Sequence, residues 1–116
     1  MAGIGCQQSQ EEMHRLIRSA ISRRLPVSAR YKGRARLLCP HRLGWNQKDE
    51  RRLFSYQYGG ESEQGLGPPG AIGNWRCMEW DKLTEIQVLE GPWHTAENYS
   101  PSSCIVRVEV EVDDQP

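Results

Sequence analysis

Asn74-Trp75-Arg76-Cys77-Met78-Glu79-Trp80-Asp81-Lys82-Leu83 reads as a strand that runs into a tight acidic–basic turn. Side chains alternate across a strand, so Trp75, Cys77 and Glu79 share one face and Arg76, Met78 and Trp80 the other. An arginine on the same face as Met78 and Trp80 has two physical fates. It pairs with a carboxylate, or it points into a pocket for an anionic ligand.

On the N-terminal side of this stretch, Ser9 and Glu12 form a capping-box pattern that opens a helix. Met13, Leu16, Ile17, Ala20 and Ile21 make one apolar stripe, and Pro26 stops the helix, which is expected over residues 10–24. Strands are expected at Pro26–Tyr31, Arg34–Pro40 and Arg51–Tyr58, with Lys32-Gly33 as a tight turn and Pro40 as a strand end or edge. Glu61–Gly73 and Gly91–Pro101 read as loops. Asn74–Trp80 and Thr84–Leu89 are the fourth and fifth strands. Ser102–Val112 closes the chain, with Cys104, Val106, Val108, Val110 and Val112 expected on its buried side. Residues 1–8 read as a disordered lead and 113–116 as a frayed tail. The expected fold is α+β, mainly β. One helix precedes a small five- to six-stranded Sm/SH3-like barrel over residues 26–112, all in a single domain.

Composition narrows the function classes. No run approaches the roughly 18 apolar residues of a membrane span, and the start, Met1-Ala2-Gly3-Ile4, lacks a signal-peptide pattern. The protein is expected to be cytoplasmic. Cys6, Cys39, Cys77 and Cys104 are widely spaced and lack zinc-ligand spacing, so reduced core thiols are expected and no metal or cofactor. The net charge of zero hides a split. Residues 1–58 hold 12 Lys/Arg and 4 Asp/Glu, giving +8, and residues 59–116 hold 3 and 11, giving −8. A basic half can mark an anionic partner, or the halves can neutralise each other within the fold or between copies.

No nucleophile–base–orienter set is legible, and no phosphate-binding glycine loop follows a strand and opens a helix. His14 is expected to face solvent, and His94 lies in a loop. The suggestive residues are basic and aromatic. Arg36, Arg51, Arg52 and Arg76 with Tyr56 are the candidate ligand-binding residues, and His41, Trp75 and Trp80 are further candidates. Arginine forks grip phosphates, and aromatic rings stack on bases. The structural alternative is that Arg36 and Arg76 pair with Glu79, Asp81 or Glu85 and hold the barrel together.

From about Met13 to Trp93 the chain resembles the WYL domain, a bacterial ligand-sensing module with an Sm/SH3-like barrel. A helix with a basic end leads into a strand that closes at Tyr31. Arg36-Leu37-Leu38-Cys39-Pro40 resembles the family's Arg-x-x-x-Pro strand. Leu53-Phe54-Ser55-Tyr56 resembles the strand that begins with the leucine of Trp-Tyr-Leu. Arg76 to Leu83 resembles the Arg-x-Phe-Arg-Leu-Asp-Arg-Ile string. Two departures stand out. The Trp and Tyr of the naming tripeptide fall on Arg51 and Arg52, and the second arginine of the string falls on Glu79. No counterpart of the family's winged-helix DNA reader is expected from these residues. The resemblance implies a non-catalytic, regulatory binding module for a nucleotide, an oligonucleotide or single-stranded nucleic acid, with Arg36, Tyr56 and Arg76 as the matched positions. The rival expectation is a protein-interaction module, such as a homo-oligomer, built on the opposite-charge halves.

Overall fold

A computed structural model describes residues 8–60, 74–94 and 104–112. The expected lead before Gln8, the loop over 61–73, most of the loop over 91–101 and the tail over 113–116 lie outside the described residues.

The helix forms where the pattern places it, as α1, Gln10–Arg23. Ser9 caps its start by accepting a 3.0 Å hydrogen bond from Glu12 N. Arg24 caps its end in the left-handed region, and Leu25 N reaches back to Ala20 O at 2.9 Å. Met13, Ile17, Ala20 and Ile21 are buried. Gln8, expected in the lead, is held. Its side-chain amide receives a hydrogen bond from Ile86 N and returns one to Ile86 O, at 2.8 and 2.7 Å.

Six strands follow: β1 Val27–Tyr31, β2 Arg34–Trp45, β3 Arg51–Gly60, β4 Trp75–Glu79, β5 Leu83–Val88 and β6 Arg107–Glu111. They form one antiparallel sheet in the order β4-β3-β2-β1-β5, with β6 also on β2. The fold is therefore α+β, mainly β. The expected barrel is not closed, because β4 and β5 are the two ends of the strand order, joined in sequence by a single 3-10 turn at Trp80–Lys82. The sheet nevertheless curls. Glu79 N of β4 donates a 3.0 Å hydrogen bond to the Tyr31 hydroxyl of β1, although two strands separate them in the order.

β2 departs most from expectation. It does not end at Pro40 but runs on to Trp45. Proline has no N–H for the ladder, and here it sits at an irregularity, where the register with β3 shifts between Pro40 and Arg42. The extra length lets β2 hold two neighbours on one edge. Its first part pairs with β1 and its last part, Arg42–Trp45, with β6. Lys32 and Gly33 both have positive φ, so the β1–β2 turn is a tight primed turn that matches the strand twist.

The helix packs on one face of this sheet. Leu38, Leu43, Leu53, Met78, Trp80, Leu83 and Ile86 meet the α1 stripe there. β6 corrects the expected alternation, because Val106 and Val108 are exposed while Ile105 and Val112 are buried. The β2–β6 register shifts between Leu43 and Gly44, so Glu109 is an extra residue and the strand's faces exchange around it.

The charge halves meet inside the chain. Glu109 takes His14, Arg18 and Arg51, Glu111 takes Arg42, and Glu85 and Glu79 take Arg30 and Lys32. His14, expected to face solvent, is thus engaged. The cysteines bring a correction too. Cys39 is a buried free thiol as expected, but Cys77 and Cys104 form a disulfide, with Cα atoms 6.4 Å apart. The path of β6 along the C-terminal end of β2 brings Cys104 over to β4, a long-range approach that cysteine spacing does not reveal. Cys6 lies outside the described residues.

The Tyr31 hydroxyl makes a testable contribution to the curl. Tyr31→Phe leaves the ring in place but removes the acceptor from Glu79 N. It should cost about 1–2 kcal/mol. Urea unfolding reads this as a lower midpoint with an unchanged slope.

Candidate anion-binding site

Strand parity builds the site. β3 opposes Ser55 to Arg76 of β4 and to Pro40 of β2, and it opposes Gln57 to Leu38. Side chains directly opposite in antiparallel strands share a face. Arg36, two residues before Leu38, Gln57, Ser55 and Arg76 therefore run in sequence across β2, β3 and β4 on the helix-bearing face. Arg36 is 5% exposed, and Gln57 and Ser55 are fully buried.

Arg36 is held in a fixed pose. Nη1 donates to Gln57 Oε1 at 3.2 Å, Nη2 to Tyr31 O at 3.4 Å, and the guanidinium lies 5.2 Å from the Tyr31 ring centre. Gln57 Nε2 donates to Gly59 O at 3.0 Å, which orients its carbonyl oxygen toward Arg36. Arg36 Nε, Ser55 Oγ and Arg76 Nε are buried polar atoms without a hydrogen bond. Two guanidinium groups, a hydroxyl and an amide thus line one stretch of sheet. Guanidinium and hydroxyl groups are donors suited to an oxyanion, and the Gln57 amide, engaged with Arg36 and Gly59 O, supports Arg36. Ser55 Oγ has no base bonded to it, so nothing on the described residues activates it as a nucleophile.

Glu79 is the partner that strand alternation denies to Arg76. Its carboxylate lies 3.3 Å from Lys82 and 3.7 Å from Lys32. Glu85 faces Arg30 at 3.6 Å. The departure from the WYL pattern at Glu79 therefore sits on the opposite face from Arg76.

The other candidate residues lie elsewhere. Tyr56 and Trp75 are cross-strand partners on the opposite face, packed at 5.1 Å, with Phe54 stacked on Trp75 at 5.2 Å. Arg51 lies 4.5 Å from the Trp45 ring and 5.8 Å from Trp80, and it pairs with Glu109. Arg52 meets Glu50 at 3.1 Å. Trp80 is a core residue whose Nε1 donates to Gln10 Oε1 at 2.7 Å. Of the predicted ligand residues, the structure brings Arg36 and Arg76 to one face and places Tyr56, Arg51 and Arg52 apart from them. Ser55 and Gln57 were missed. Parity alone sets them on the face away from Phe54 and Tyr56, which is the signal that would have found them.

His41 is 1% exposed, at a bulge of β2. Trp75 meets it edge-on at 4.7 Å and Trp93 lies tilted at 4.8 Å. Its Nδ1 is 2.7 Å from Cys39 O. A carbonyl only accepts, so Nδ1 carries the proton. Burial pushes the imidazole down to about 4 despite that bond, and the Arg24 charge adds to the shift. Burial pushes the Cys39 thiol up to about 11, and its sulfur accepts from His94 N at 3.2 Å. The two side chains are thus a neutral ring and a protonated thiol.

The His41 shift sets a pH dependence. The folded value lies below the ordinary one, so the unfolded chain takes up the proton first as pH falls. This stability is fully present above about pH 6.5 and is lost as pH falls toward 4. Its size is about 3 kcal/mol. Denaturant unfolding of the wild type between pH 7.5 and 4.5 should show the fall, and His41→Phe should flatten it. An equal slope in both proteins would refute the assignment.

Searches of family models, curated proteins and solved structures found no match to this chain.

Proposed function

We propose that this chain is a non-catalytic binding module for an anionic ligand, a nucleotide or the end of a single-stranded nucleic acid, and that Arg36, Ser55, Gln57 and Arg76 hold the anion. The observation that carries this reading is the file of Arg36, Gln57, Ser55 and Arg76 across β2, β3 and β4, with Arg36 oriented by Tyr31 and Gln57. Arg36 and Arg76 put two guanidinium groups on one face of the sheet, and with the Ser55 hydroxyl they offer donors suited to an anion.

A WYL-like, Sm/SH3-type architecture belongs to the same proposal. The strand order supports it, since β5 returns to β1 and the Tyr31 hydroxyl draws the end of β1 toward β4. The placement of Tyr56 and Trp75 on the other face argues against bases stacking on these rings at the same site. The ligand then offers a compact charged group rather than a long backbone. The ion pairs between the two charge halves within one chain take support from the self-assembly reading. No helix of the described residues is long and apolar enough to cross a membrane, and a cytoplasmic setting is proposed with the rest.

Fluorescence anisotropy with short labelled single-stranded RNA and DNA, in competition with nucleoside monophosphates, tests the proposal. Binding should weaken as salt rises. Arg36→Ala and Arg76→Ala should each lower affinity about tenfold or more. Ser55→Ala, which removes one hydroxyl and leaves the backbone alone, should lower it a few-fold and keep the far-ultraviolet circular dichroism unchanged. Absence of binding at low salt, or equal binding by all three variants, would overturn the reading.

A further inference from the structure

The face opposite the helix carries a second packed layer, and the disulfide fastens it. Phe54, Tyr56 and Trp75 form its floor. Cys77 is opposite Phe54 in the β3–β4 ladder, so its sulfur stands on this same face. Residues 104–106 cross from there to the far end of β2. Ile105 is buried at 3% exposure, and Val106 N donates a 2.8 Å hydrogen bond to Trp45 O. The crossing is close. A Cβ on Gly44 would lie 2.7 Å from Ile105 Cγ2 and nearer still to the Arg107 carbonyl oxygen. Only a glycine leaves room for this strap.

We infer that the Cys77–Cys104 disulfide is a reversible redox site that locks the 104–106 strap over the Phe54–Trp75 layer and releases it on reduction. Two observations carry this, with the seat of the strap on β2. Cys77 is exposed, so a reductant reaches it without unfolding the chain. The helix-side core of Met13, Ile17, Leu38, Leu53 and Met78 lies on the other face of the sheet and does not include Ile105 of the strap. The strap seats Ile105 against Gly44 and hydrogen-bonds Trp45 O of β2 through Val106 N. Release is therefore local.

The exchange uses a dithiol reductant. Its thiolate attacks Cys77 Sγ, and the sulfur–sulfur bond breaks with the electron pair leaving on Cys104 Sγ, which takes a proton. The second thiol of the reductant then displaces Cys77 from the mixed disulfide. The protein gains two electrons and two protons, and the reductant leaves as its own disulfide. Cys39 is buried in the sheet and does not enter the exchange.

The full-length chain, equilibrated in glutathione buffers of graded reduced-to-oxidised ratio or in dithiothreitol, tests this. Alkylation and mass spectrometry follow the Cys77–Cys104 bond, and amide hydrogen exchange compares the two forms. The bond should open without denaturant. Exchange over 104–108 and β4 should quicken about tenfold, while α1 and β1 stay protected. Cys104→Ser should show the same fast exchange with or without reductant. A bond that resists reductant in the native protein would overturn the inference. So would reduction that also strips protection from α1, or exchange that is equal in the two redox forms.

Discussion

Everything in this fold depends on one strand pairing along both edges while it bends. β2 is twelve residues long, holds β3 along most of its length, and shares its other edge between β1 and β6. A flat strand cannot do this, because successive neighbours would collide. The register shifts after Leu37 and around His41 let it turn. The bend places Arg36 toward one end of β2 on the helix-bearing face and Gly44 toward its other end, under the strap on the opposite face. Both candidate sites thus descend from the geometry of a single strand.

The electrostatics follow the same division. The basic N-terminal half and the acidic C-terminal half find each other because β6 returns along β2 and meets the helix. Glu109 gathers His14, Arg18 and Arg51 at that junction; burial pushes its carboxyl up, but the hydrogen bonds from His14, Arg51 and Arg18 and the Arg51 charge outweigh this and hold it below the usual range. Arg36 differs in kind. It is 5% exposed, and hydrogen bonds to the Gln57 amide and the Tyr31 carbonyl fix its pose on the helix-bearing face.

Much of the fold is legible in the sequence, and the limits are physical. The Met13–Ile21 stripe and the Ser9 cap specify the helix, because they are local patterns. The alternation of Arg76, Met78 and Trp80 is realised, and it separates Arg76 from Glu79. Pro40 misleads because a bulge in mid-strand depends on two partner strands that local sequence does not show. The β6 valines mislead for the same reason, since one extra residue at Glu109 exchanges the faces. The Cys77–Cys104 bond is invisible because it joins strands brought together by the whole topology. Arg51 and Arg52 look like ligand residues in the chain, yet Trp45, Glu109 and Glu50 engage them in the fold. Arg36 and Arg76 emerge from strand parity, while Ser55 and Gln57 hide between aromatic neighbours that draw the eye.

The central claim is that Arg36 and Arg76 meet an anion on one face of the sheet. Nuclear magnetic resonance of the arginine Nε–H groups, titrated with inorganic phosphate and with a nucleoside monophosphate, tests it most directly. The account predicts saturable shifts at Arg36 and Arg76 together with the Ser55 and Gln57 amides, and little change at Arg51 and Arg52. Shifts confined to Arg51, Arg52 and other surface arginines, or no saturable shift at all, would contradict it.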